Sequence, residues 1–228
     1  MVVGNGLMAK AFKEYQGSEK DLVFASGVSN SSLSNDVAFD REFAMVKEYC
    51  QQYPNLRFIY FSTCSIYDQA VKDRDYVKHK LRIEEYVKNN ASNYLIFRIS
   101  NVVGKGGHEN TILNFLVNAI SNDRKFELWK GSERNLIDSE DVVTIINSIL
   151  ATDIKNTTIN VAMLESLKVL KIVELIENHL GKKAQVRIID KGNPLKIDVT
   201  QIHDVLKAIE ISKGRGTQYL NHLLIKYY

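Results

Sequence analysis

The stretch 61-FSTCSIYDQAVKDRDYVKHK-80 holds three residues whose types and spacing can move a proton: Thr63, Tyr76 and Lys80. Four residues apart on a helix, Tyr76 and Lys80 lie on one face, one turn from each other. An ammonium beside a phenol favours the phenolate and lowers a pKa that starts at about 10. A tyrosine so placed can pass a proton to or from a carbinol near neutral pH. Thr63 leaves the end of an apolar run and would donate a hydrogen bond to the same substrate oxygen. The same letters also fit an ordinary Tyr–Lys pair on an exposed amphipathic helix.

A second candidate is 4-GNGLMA-9, a G-x-G-x-x-A turn between a strand and a helix. Glycines there let the backbone turn tightly and approach a pyrophosphate, whose charge the helix N-terminus favours. Glycines that serve the turn alone would look the same. A complete dinucleotide pocket also expects an acidic residue, or an Arg for a phosphorylated ribose, about 20 residues on at the end of the next strand. That strand ends here at Ala25, Ser26 and Gly27, with no charge in place.

The elements that must position these residues alternate, which signals a parallel sheet covered by helices. Residues 1–3 read as a very short strand, 7–15 as a helix and 21–25 as a second strand. A polar Ser/Asn loop over 27–36 leads to a helix over 37–52, and Pro54 and Asn55 punctuate. The runs 56-LRFIYFS-62 and 94-YLIFRIS-100 read as buried strands around a helix over 76–89. A helix over 110–121, the segment 136–150 and a strand over 157–162 follow. The last third reads as a helix over 166–180 that stops at Gly181, a strand over 184–190, and short helices near 201–209 and 217–226. No repeat, low-complexity linker or Gly/Ser hinge divides the chain, and it contains two prolines.

Composition narrows the function classes. A chain of 228 residues with 45% hydrophobic content can bury a substantial core. Cys50 and Cys64 form no spacing that suggests a disulfide framework or a zinc site, so no metal is expected. No signal peptide precedes the first strand and no apolar run is long enough to span a bilayer, so a reduced cytoplasmic protein is expected. A net charge of +3, with bases scattered among acids, argues against nucleic acid.

Taken in order, G-x-G-x-x-A, F-S-T-x-x-I-Y, Y-x-x-x-K and 97-FRISNVVG-104 resemble the short-chain dehydrogenase/reductase superfamily. The likeness is strongest to its extended branch of nucleotide-sugar epimerases, dehydratases and reductases. The segment 134-RNLIDSEDVV-143 resembles that branch's arginine-led stretch, and 159–186 resembles its strand and helix leading into the substrate lobe. The resemblance implies a single Rossmann-like domain over 1–228: an α/β fold with a parallel sheet, helices on both faces and a small C-terminal substrate lobe built mainly from 106–135 and 163–228. It also implies Tyr76 as the catalytic acid/base, Thr63 as the active-site hydroxyl, and Lys80 as the residue that binds the nicotinamide ribose and depresses the tyrosine pKa. Gly4, Gly6, Leu7, Met8, Ala9 and Ser26 would bind the cofactor, NAD or NADP, with Asn101, Arg134 and Thr63 on a nucleotide-sugar substrate. No membrane partner is implied, and a homodimer is compatible with it.

Two departures shape the expected chemistry. The 4,6-dehydratases of that branch carry an acidic pair directly after the hydroxyl residue; Cys64 and Ser65 stand there, which disfavours water elimination. The strand at 22–27 resembles the family's fourth, usually reached after two more strand–helix units, yet follows the first helix directly, so the portion that holds the adenosine is expected to be missing or reduced. The expected activity is ketoreduction or epimerisation of a nucleotide-activated sugar. The alternative is a non-catalytic or dinucleotide-independent sugar-nucleotide binding relative.

Overall fold

A computed structural model of the chain describes residues 1–28, 36–109 and 111–228. Most of the polar loop expected over 27–36, and the first residue of the helix expected at 110, lie outside the described residues. Strand β1 (Val2–Val3) turns into α1 (Leu7–Ala11), which β2 (Asp21–Phe24) follows. Then come α2 (Asp36–Gln52), β3 (Arg57–Thr63), α3 (Asp75–Asn90) and β4 (Tyr94–Ile99). The chain leaves this sheet through β5 (Asn101–Val103), α4 (Ile112–Ser121), β6 (Phe126–Trp129), β7 (Glu133–Arg134) and β8 (Leu136–Asp138). Helix α5 (Ser139–Leu150) returns it to β9 (Thr157–Val161). The remainder is β10 (Leu167–Lys168), α6 (Val169–Leu180), β11 (Val186–Ile189), α7 (His203–Lys213) and α8 (Thr217–Tyr227).

The central sheet is parallel throughout, in the order β1-β2-β3-β4-β9. Its strands are apolar on both faces, as a sheet covered by helices on each side requires. Alternation along each strand sorts the residues. Leu22, Phe24, Phe58, Tyr60 and Ile96 pack with Val46 and Cys50 of α2 and with Ile83 and Val87 of α3. Val23, Ile59, Phe61, Leu95 and Phe97 face the other way, toward Phe12 and toward Ile145 and Ile149 of α5.

Strand β1 stands at the edge. The common doubly wound order places two further strands beyond the first; here α1 leads straight into β2, and among the described residues no strand pairs beyond β1. The helix expected over 7–15 is also shorter than its pattern. It ends at Ala11, and a 3₁₀ turn over Lys13–Gly17 takes its place, a common way for a short helix to finish. Phe12 at the break is fully buried, and the Tyr15 hydroxyl donates to Asn147 Oδ1 of α5 at 2.8 Å.

Small strands outside the central sheet hold the remaining segments together. β6 runs parallel to β11, β5 parallel to β8, and β7 antiparallel to β10. Helix α6 ends on Gly181 at φ 64°, a left-handed cap that glycine adopts without strain. At the start of α5, Asp138 accepts from the Glu140 amide, the Lys226 ammonium and the Tyr227 hydroxyl. Tyr219 donates to Asp141 at 2.6 Å, so α8 is tied to α5 through a buried polar clasp.

Candidate active site

Strand β3 ends on Thr63, and α3 begins twelve residues later with Tyr76 and Lys80 on its buried face. Thr63 is 6% exposed, Tyr76 7% and Lys80 3%. The three therefore form a buried cluster, and the alternative of an exposed Tyr–Lys pair is removed. The Thr63 hydroxyl oxygen accepts from the Ser65 amide at 3.0 Å and is hydrogen-bonded to the Tyr76 phenol. The Lys80 ammonium lies 5.9 Å from the centre of the Tyr76 ring and donates to the Phe61 carbonyl at 3.4 Å.

One expectation about this trio is corrected. Lys80 and Thr63 do draw the Tyr76 pKa downward, but burial outweighs them and leaves the phenol above its usual value. Desolvation penalises a phenolate wherever no full counter-charge reaches it. Here the ammonium is shared. Lys80 donates to Glu42 Oε1 of α2 at 2.9 Å, so part of its field is spent on a carboxylate.

A cavity of about 790 Å³ opens over the trio and runs from α1 to β6. Leu7, Met8, Gly27 and Val28 wall one end, while Thr63, Tyr76 and Lys80 sit in the middle. Asn101, Arg134, Phe115, Phe126, Trp129 and Leu195 wall the other. Arg134 donates to Asp68 at 3.1 Å and to its neighbour's carbonyl at 2.7 Å. Burial lowers its pKa, with Asp68 opposing and Arg74 adding to the effect. The Asp68 partner lies 66 residues away in the sequence and on the cavity wall. The Asn101 amide donates to the Asn135 carbonyl at 2.9 Å.

The remaining expected cofactor residues are not on this wall. Gly4 has φ 124°, and a Cβ there would come within 2.5 Å of the Ala25 carbonyl oxygen, so glycine is required where β1 turns beside β2. A Cβ on Gly6 would meet nothing within 4 Å, which leaves open space over the turn for a ligand. Ala9 is the buried residue of α1. The Ser26 hydroxyl contacts the Met45 sulfur at 3.9 Å.

These observations test the fit of a nicotinamide dinucleotide. A nicotinamide–ribose half would find a preformed wall in Leu7, Met8, Val28, Thr63, Tyr76 and Lys80. The adenosine half would find an edge strand of two residues and no carboxylate at the end of β2. Sequence reasoning missed Glu42, Gly27, Asp68 and the aromatic wall. Glu42 had left a signal, since it interrupts the apolar stripe Phe39, Phe43, Val46 and Cys50 of its helix.

The chain matches the NAD dependent epimerase/dehydratase family over residues 20–162. It belongs to that family. The matched region includes Thr63, Tyr76, Lys80, Asn101 and Arg134 and begins beyond the first glycine turn. No curated relative matches the sequence. Among solved structures, UDP-glucuronic acid 4-epimerase from Bacillus cereus superposes with a TM-score of 0.71 at 16% identity, covering 98% of this chain and 80% of that one. dTDP-glucose 4,6-dehydratase from Bacillus anthracis, in complex with NAD, gives 0.70 at 15% identity, with 98% and 78% covered. RMD from Pseudomonas aeruginosa, complexed with NADPH, gives 0.63 at 13% identity, with 90% and 97% covered. At these identities the likeness is one of fold. Among the described residues, no helix is long and apolar enough to cross a membrane, and no cluster of His, Cys, Asp and Glu could hold a metal ion.

Proposed function

We propose that this chain is an NAD(P)-dependent enzyme that carries out ketoreduction or epimerisation on a nucleotide-activated sugar. The observation that carries the reading is the Thr63–Tyr76–Lys80 cluster on the wall of one cavity that also holds Arg134 and three aromatic rings. A bound nicotinamide would supply or accept the hydride. The chain's own residues do the rest. Tyr76 moves a proton at the sugar oxygen, and Thr63 holds that oxygen by its hydroxyl. Lys80 keeps positive charge near the phenol and the nicotinamide ribose. A planar guanidinium suits a diphosphate because its fork matches the oxygens, so Arg134 binds the nucleotide once Asp68 yields to the ligand. Phe115, Phe126 and Trp129 supply apolar surface for a base. The segments 106–135 and 163–228 form the substrate lobe.

Dehydration is disfavoured by the residues after Thr63. Cys64 donates to the Arg98 carbonyl at 3.0 Å, and burial pushes its thiol up to about 12. A thiol so held is a poor acid or base at neutral pH, and Ser65 offers no carboxylate.

The rival reading, a sugar-nucleotide binding relative without dinucleotide chemistry, is favoured by the sheet ending at β1. A thermal-shift panel of NAD, NADH, NADP, NADPH and several UDP-, dTDP- and GDP-sugars separates the two, since a ligand that binds only the native state raises its stability. Stabilisation by sugar nucleotides and by dinucleotides supports the enzyme. Sugar nucleotides alone would favour the rival, and no response to either would overturn both.

A further inference from the structure

Glu42 has no place in the chemistry above, yet it is fully buried directly behind it. Four donors fill its carboxylate. Oε1 accepts from the Tyr60 hydroxyl at 2.8 Å and from Lys80 Nζ at 2.9 Å; Oε2 accepts from the Val28 amide at 2.7 Å and lies 3.0 Å from His79 Nε2. One side chain on α2 thus pins β3, two residues of α3 and the segment after β2. Gly27 roofs the pair. A Cβ there would come within 2.7 Å of Lys80 Nζ and 2.9 Å of Glu42 Oε1. With its acceptors occupied, Glu42 has no capacity left to hold ribose hydroxyls, so it cannot replace the carboxylate missing from the end of β2. It acts on Lys80 instead.

We propose that Glu42 is a positioning residue for Tyr76: it fixes Lys80 beneath the phenol and offsets part of its charge, so that the resting site presents Tyr76 as a proton donor. This rests on the reading of Tyr76 as the proton-transfer group. The groups that face the phenol come from three elements. They are Lys80 on α3, Thr63 and Tyr60 on β3, and Glu42 on α2. Asp68, Arg74 and Arg134 lie around the same cavity. An isolated ammonium would favour the phenolate, whereas an ammonium paired with a carboxylate exerts a far weaker field. Burial and Glu42 both raise the Tyr76 pKa against the pull of Lys80 and Thr63. In a carbonyl reduction the carbonyl carbon takes a hydride from a reduced nicotinamide, which is oxidised. The carbonyl oxygen takes the Tyr76 proton, leaving an alcohol and a phenolate. A site that rests protonated is ready for that direction.

Tyrosine ionisation, followed by ultraviolet difference absorbance against pH, tests this without any substrate. Subtracting the Tyr76→Phe curve from the parent curve isolates Tyr76, and the same subtraction is made in each variant background. In Glu42→Gln the Tyr76 midpoint is expected to fall by about one pH unit, and in Glu42→Asp, which keeps the charge, to stay with the parent. A Gln midpoint at or above the parent value would overturn the proposal. The double variant Glu42→Gln/Lys80→Met removes both charges and guards against misfolding of the single one. Its Tyr76 midpoint is expected above that of Glu42→Gln, at or somewhat above the parent value, because Lys80 outweighs Glu42 at the phenol. A midpoint unchanged from Glu42→Gln would show that the fall in the single variant does not come from an unopposed Lys80 and would overturn the proposal. Failure to find a sugar nucleotide that is turned over would sink the proposed function and leave these titrations standing.

Discussion

The two ends of the cavity are built differently. At one end β6 pairs with β11 and β7 with β10, and Phe115, Phe126, Trp129 and Leu195 wall the space around Arg134. At the other end a two-residue edge strand turns into a five-residue helix, and the adjacent strand closes on Ala25 and Ser26 without a carboxylate. The proposed proton-transfer cluster sits between them and touches the second end only where the Val28 amide donates to Glu42. Thr63 ends β3, Tyr76 and Lys80 lie on α3, and Glu42 on α2 buttresses them. The difference teaches that the residues proposed for acid–base work are placed by the central strands and their covering helices, and not by the short edge strand on the adenosine side.

The largest expected effect falls at the centre. Tyr76→Phe removes one oxygen from a buried ring and leaves both ends of the cavity intact. Turnover of a sugar nucleotide is expected to drop by ~10²–10⁴-fold, the usual contribution of a positioned proton-transfer group. Ligand-induced thermal shifts should stay near the parent's. Activity within a few-fold of the parent would place the chemistry elsewhere and break the comparison. Thr63→Val keeps the shape and removes the hydroxyl, and its rate is expected to fall by about 10²-fold, as for one lost oxyanion donor. Unchanged kinetics would return Thr63 to being a strand-end residue that accepts the Ser65 amide.

The next effect belongs to the walled end. Arg134→Ala removes the guanidinium and leaves Asp68 without its ion-pair partner, held by the Ala70 amide. A charge-assisted hydrogen bond contributes about 1.5–3 kcal/mol, so calorimetry should show UDP- or dTDP-sugar binding weakened by about tenfold to a hundredfold. Dinucleotide binding should hardly change, because Leu7, Met8 and Val28 lie at the opposite end. A variant that loses both ligands equally would show that the two ends are not separate.

That division was only partly legible in the residues. The runs 56-LRFIYFS-62 and 94-YLIFRIS-100 announce β3 and β4 because strands buried on both faces carry an unbroken apolar signal. The Tyr76–Lys80 spacing survives into the fold because it is local to one helix. Strands β6, β7 and β10 left no comparable trace. They have two to four residues, and each is defined by a partner far along the chain, as Phe126 is by Val186. The early end of α1 was hidden for a related reason, since the apolar spacing of Phe12 and Tyr15 continues into the 3₁₀ turn. Glu42 stood out as an acid on an apolar stripe, but its partner Lys80 lies 38 residues on, and nothing in the spacing joins them. The matched pair that tunes the site was visible as two halves and not as a pair.

The smallest expected effect is a near-absence, and it tests the thin end directly. A dinucleotide bound here would gain its affinity from the nicotinamide, its ribose and the pyrophosphate over the glycine turn, where a Cβ on Gly6 would stand in open space. Its adenosine would lie past β1, where no further strand pairs among the described residues. Discrimination between NAD and NADP is made at the adenosine 2′ position, by an acid that binds the hydroxyl or an Arg that accepts the phosphate. The end of β2 offers neither. Loss of one charged hydrogen bond alone weakens binding by about tenfold to a hundredfold, and the missing apolar walls for adenine add to that. Calorimetry is therefore expected to give weak affinities for NAD and NADP that agree within a few-fold, with the nicotinamide mononucleotide close behind them. Submicromolar binding of either dinucleotide, or a clear preference between them, would mean that this end is closed by an adenosine pocket after all. The contrast between the two ends would then be one of shape and not of function.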